Sequence, residues 1–101
     1  MNGVGTHTVT VLRDVEMERV RQDEKWGQQN HSPSDWLAVL MEEVGEAAQQ
    51  VAMGFVDPLP EPREALRRTH VRHLRRELIQ VAAVAVAAVE SLDRNELDGD
   101  A

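Results

Sequence analysis

Apolar positions recur along this chain at helical spacing. Leu37, Leu40, Val44, Ala47 and Val51 fall on one stripe at about 100° per residue, the side of an amphipathic helix expected to face a core. A longer stripe is made by Val71, Leu74, Leu78, Val81, Ala85, Val89 and Leu92. Between Val81 and Val89 this helix is apolar on every side, and such a helix is buried on every side. Two other helices in a chain of 101 residues can hardly supply that cover, so a second subunit is expected. A weaker pattern over Val11, Leu12, Val15 and Arg19 predicts a first helix, starting near Thr10 as N-cap and running to about Lys25.

The breaks between these segments follow from local chemistry. Gly27 ends the first helix, and Gln28 to His31 form a loop. Ser32-Pro33-Ser34-Asp35 then offers an N-cap serine, a proline in the first turn and an acid three residues on. The second helix is therefore expected from about Pro33 to Met53, with Gly54 as its C′ residue. Pro58, Pro60 and Pro62 alternate in a linker from Phe55 to Pro62, which reads as extended and stiff. From Pro62 the third helix restarts directly or through a short turn that leads into the main helix at about Thr69. Residues 1–9 read as a flexible start and residues 93–101 as an acidic, fraying tail. The expected fold class is all-α: a helical domain over residues 10–92 with three main helices, plus a short one if the stretch after Pro62 stands apart. Dimerisation or higher oligomerisation is expected to complete the bundle.

Composition narrows the function classes. Aromatic residues make up only 3% of the chain, so the core must be built from Leu, Val and Ala, and the two Trp stand out. A formal charge of −7 argues against a nucleic-acid duplex as partner, though not against a small phosphorylated ligand held through metal. The absence of Cys removes disulfides and thiolate metal sites. No signal peptide is read at the N-terminus, and the run from Val81 to Val89 is too short to span a bilayer, so a cytoplasmic protein with no membrane partner is expected.

The chemistry concentrates in Glu42-Glu43-Val44-Gly45-Glu46. Glu43 and Glu46 lie together at i and i+3 beside the core stripe, Glu42 stands one turn from Glu46, and no lysine follows at i+4. Three unpaired acids at a core edge repel one another, and a divalent cation between them relieves that repulsion. A solvated acidic face is the other reading. On the third helix Glu77 and Gln80 hold the same offset from their stripe, so two packed helices would bring the two pairs to a common edge. An all-oxygen set without thiolate or an imidazole cluster suits Mg²⁺ or Mn²⁺ rather than Zn²⁺. The dense charges from Glu16 to Lys25 read as a solvent-facing surface laced with ion pairs. Six of the eleven basic residues, Arg63, Arg67, Arg68, Arg72, Arg75 and Arg76, cluster before Glu77, as a solvated face or as a phosphate-facing one.

These residues occur in a telling order: Glu18-Arg-Val-Arg21-Gln22-Asp-Glu-Lys25-Trp26-Gly27, Asn30-His31, Trp36-Leu-Ala-Val-Leu40, EEVGE at 42–46, and Glu77-Leu-Ile-Gln-Val-Ala-Ala-Val84. The pattern resembles the MazG-like all-α nucleoside triphosphate pyrophosphohydrolases, in particular their single-domain, dCTP pyrophosphatase-like and phage-type members. Their signature is EExxE followed after a variable gap by ExxD, and the likeness spans roughly residues 10 to 92. It implies a four-helix-type bundle, dimeric or tetrameric, that hydrolyses a nucleoside or deoxynucleoside triphosphate to the monophosphate and pyrophosphate with Mg²⁺. Carried over by position, Glu43, Glu46, Glu77 and Gln80 would hold metal and Glu42 would be the base for the attacking water. Trp26 matches a Trp that stacks on the base in dCTP-hydrolysing relatives, an interaction of roughly 1–3 kcal/mol; the other reading is a Trp that closes a helix corner. His31 matches a loop His that contacts base or phosphate, Lys25, Arg21 and Arg76 are candidate phosphate contacts, and Trp36 reads mainly as packing. The departure is Gln80, where the pattern has Asp. A neutral carbonyl ligand holds metal more weakly, which leaves two outcomes: an enzyme with altered metal demand, or a protein that binds nucleotide without cleaving it. The rival from another class is a non-catalytic helical oligomer that binds nucleotide or a protein partner.

Overall fold

Ser32 shows how the helices are set. Its Oγ accepts the Asp35 backbone N–H at 3.2 Å and its carbonyl accepts that of Trp36 at 2.9 Å, so the expected cap forms. In this computed structural model, which describes residues 5–54 and 60–97, the chain forms α1 (Thr6–Trp26), α2 (Pro33–Gly54) and α3 (Arg63–Asn95), with no strand among the described residues. Gly27 closes α1 as expected: at φ 71° it takes a conformation that favours glycine, and its N–H donates to the Asp23 carbonyl at 2.8 Å.

Three boundaries differ from the sequence reading. α1 begins at Thr6, with Gly5 as N-cap and no side-chain cap, and not near Thr10. The Thr10 hydroxyl instead bonds the Thr6 carbonyl at 3.2 Å, a back-bond inside the helix, so residues 6–9 are ordered helix. α3 starts directly after Pro62 and passes through Thr69, whose hydroxyl likewise bonds the Ala65 carbonyl at 3.0 Å; no separate short helix forms. It then runs on to Asn95, into the stretch read as tail, and the N–H groups of Glu96 and Leu97 close it on the Leu92 carbonyl at 2.9 and 3.0 Å. The rest of the expected N-terminal and C-terminal flexible segments and residues 55–59 of the linker lie outside the described residues.

α3 is the spine. α1 and α2 each pack on it, and among the described residues their backbones do not approach each other closely. The buried apolar set is small: Val15 on α1, Trp36 and Ala47 on α2, Ala83 and Val84 on α3. Trp36, read as packing, is indeed only 3% exposed. The α2 line with least exposure is Trp36, Leu40, Glu43, Ala47 and Gln50. It is rotated from the purely apolar stripe, because part of the seam between α2 and α3 is polar. Leu37 and Val51, expected in the core, are exposed, as are Val71, Leu78 and Val89 on α3. Within one chain the apolar segment 81–89 is covered on one side only, by α1 and α2. The radius of gyration is 16.6 Å, against about 13 Å for a compact domain of 100 residues. No helix among the described residues is long and apolar enough to cross a membrane.

Candidate functional site

The packing of α2 on α3 brings the two acidic pairs together. Glu43 and Glu46 on α2 and Glu77 on α3 each offer a carboxylate oxygen within 4.8 Å of the others. The Gln80 carboxamide sits against the same group. With its nitrogen turned inward it donates to Glu43 Oε2 and to Glu77 Oε2, both at 3.2 Å. With its oxygen inward it adds another acceptor, an arrangement that a cation or a proton must compensate.

The cost of gathering these charges is visible in their titration. Burial raises the Glu43 carboxyl above its ordinary range, and the charges of Glu46, Glu77, Glu18 and Glu42 raise it further. Glu77 is also raised, by burial first and then by hydrogen bonding to Glu46 and by its charge, while Arg76 and His73 pull it the other way. Oxygen donors this close suit a hard divalent ion, whose bonds to oxygen are about 2.1–2.5 Å long. The donor set thus fits Mg²⁺ or Mn²⁺, and no thiolate competes.

The backbones of α1 and α2 stand apart, and a cleft of about 410 Å³ lies between the two helices beside α3. Glu42, Glu43 and Gln80 line it from the acidic side, and Trp26, Lys25, Arg21 and His31 line it from the α1–α2 corner. Trp26 is half exposed, with the Lys25 ammonium 4.6 Å from its ring centre. His31 meets Trp36 edge to face, ring centres 4.7 Å apart. The Arg21 guanidinium is held by Glu18 at 2.9 and 2.7 Å, which raises its pKa and ties up a charge expected to face phosphate.

Two expected site residues stand apart. Glu42 lines the cleft but is not among the three clustered carboxylates. Arg76 acts electrostatically on Glu77 and lines none of the cleft. The ion pairs expected of α1 are present: Arg19 bonds Asp23 at 3.0 Å and reaches across to Glu90 of α3 at 2.6 Å. Arg75, from the basic run, pairs with Asp14 at 2.6 Å.

Gln22 was not expected in a site, yet it is buried and lines the cleft. Its only sequence signal is spacing: seven residues after Val15, it falls on the inward side of α1. Beyond it lies a smaller pocket of about 210 Å³. No family model, curated protein or solved structure matches the chain.

Proposed function

We propose that this protein is a metal-dependent hydrolase of a nucleoside or deoxynucleoside triphosphate, releasing the monophosphate and pyrophosphate. The observation that carries this reading is one arrangement: three carboxylates from two helices gather beside the Gln80 amide, and through Glu43 and Gln80 the group adjoins a cleft that holds Trp26 and His31. The resemblance of the same residues to MazG-like pyrophosphohydrolases gives the reaction. Glu43, Glu46, Glu77 and, when its oxygen faces inward, Gln80 would hold Mg²⁺ or Mn²⁺. When bound, such an ion would supply charge neutralisation of the triphosphate and Lewis-acid activation of water. Glu42, in the cleft beside the cluster, takes the proton of the water that attacks the α phosphorus. The bond from the α phosphorus to its bridging oxygen breaks, and pyrophosphate leaves with that oxygen. Trp26 offers a ring face to the base, and Lys25 offers a cation to the phosphates. The exposed apolar faces of α2 and α3 support assembly as a dimer or tetramer.

One observation favours the non-catalytic alternative. The Gln80 amide can satisfy Glu43 and Glu77 by itself, so the cluster has a metal-free arrangement that an Asp at position 80 would not provide. A panel of ribo- and deoxyribonucleoside triphosphates with Mg²⁺ or Mn²⁺, assayed for pyrophosphate, separates the two. Release from at least one substrate is expected; complete inactivity of the folded protein favours nucleotide or partner binding without cleavage.

A further inference from the structure

We propose that Gln22 reads the hydrogen-bonding edge of the nucleobase and sets base preference. This rests on the reading that the cleft takes a nucleotide. Gln22 is 9% exposed, and among the described residues no hydrogen bond is made by its carboxamide. Its amide atoms remain within reach of solvent at the cleft wall, so their hydrogen bonds are left to water or to a ligand. Gln22 stands where the cleft and the smaller pocket share a wall with Gln29 and Trp36, and there the Trp36 Nε1–H is buried without a partner.

The charged groups around the smaller pocket are largely engaged with one another, although the buried Arg19 Nε–H has no partner. Arg19 holds Asp23 and Glu90, and Arg94 bonds the Gln29 carbonyl at 3.2 Å and Asn30 Oδ1 at 3.1 Å. Gln22 is thus a neutral group with hydrogen-bonding capacity still to spend. Its carboxamide presents an acceptor beside a donor, the pattern complementary to an adjacent donor and acceptor on a base edge. The acidic cluster adjoins the same cleft through Glu43 and Gln80. A nucleotide with its phosphates toward that cluster has its base in the part of the cleft that Trp26, His31 and Gln22 share. Stacking there is tolerant of base identity. A carboxamide is not, since a site built to hydrogen-bond one edge leaves unpaired groups against another.

The test is calorimetric binding, with Mg²⁺, of tripolyphosphate and of the α,β-imido analogues of dATP, dGTP, dCTP and dTTP. The wild-type protein is expected to favour one base over the others by about tenfold or more. Gln22→Met, matched in length, should flatten that preference by about tenfold and leave tripolyphosphate binding unchanged. Gln22→Glu keeps the shape and removes both donors, so it should alter the base order, and it carries the test if Gln22→Met fails to fold by circular dichroism. Base ratios unchanged in the folded variants, or a wild-type protein indifferent to the base, overturn the proposal, since a water in this slot would give that result. Wild-type protein that selects a base but releases no pyrophosphate retires the hydrolytic reading and leaves Gln22 standing. Release of pyrophosphate with base ratios insensitive to residue 22 does the reverse.

Discussion

At position 80 a single side chain decides between two states of the same acidic cluster. The Gln80 amide can donate to Glu43 and Glu77, which keeps the cluster intact without metal, or present its oxygen to a cation. A carboxylate there has no donating state while ionised. Gln80→Asp therefore removes the metal-free arrangement and adds a charged ligand. The Mg²⁺ concentration for half-maximal activity should fall, by roughly tenfold if ligand charge dominates affinity. An unchanged or higher Mg²⁺ requirement would show that position 80 does not face the ion. Glu42 and Gln22 were differently legible. Glu42 belongs to a motif and its proposed role as base comes from that motif, whereas a glutamine in a charged helix is marked only by its spacing from Val15. What singles Gln22 out is its place on the cleft wall, mostly buried and with no hydrogen-bond partner among the described residues.

Between elements, the same cluster opposes the packing of α2 on α3. Glu43 and Glu77 both titrate above the ordinary carboxylate range in the folded protein. The native state then binds more protons than the unfolded chain between the ordinary and the raised values. Stability consequently falls as pH rises through that window and stays lower above it. A divalent ion removes the repulsion where the groups are ionised and competes with protons where they are not. The rise in melting temperature on adding Mg²⁺ should be larger near neutral pH than at about pH 5. An equal rise at both, followed by thermal circular dichroism, would mean that the ion binds elsewhere. This polar seam also explains what the apolar pattern misplaced. The helices themselves were readable, since Ser32 caps and Gly27 stops them by local chemistry. The α1 start was not, because Gly5 and Thr6 carry no capping bond that would mark it. The side of α2 that meets α3 was also misread: Glu43 and Gln50 help form the seam, so the apolar stripe lies partly outside it.

On the scale of the whole molecule, the residues that the pattern assigned to the core but one chain leaves exposed need another explanation. Leu37 is 60% exposed, Leu78 52% and Val89 57%. Apolar faces of this kind mark association surfaces. The protein is expected to have a solution mass at least twice the 11.3 kDa of one chain by light scattering. Leu37→Glu together with Leu78→Glu should lower it toward a single chain by placing charge on both faces. A wild-type monomer would contradict the expectation of a completed bundle. Chain length and the all-round apolar segment at 81–89 carry the expectation of a second subunit; how subunits would be arranged depends on surface shape, which periodicity does not encode.

The most direct measurement is pyrophosphate release from nucleoside triphosphates with Mg²⁺, compared among the wild-type protein, Glu43→Gln and Glu46→Gln. The wild-type protein should turn over at least one triphosphate, and each variant should lose about a hundredfold or more of that rate with its helical circular dichroism intact. Activity retained in both variants, or no release by the folded wild-type protein with either Mg²⁺ or Mn²⁺, would contradict a catalytic metal centre at the α2–α3 seam.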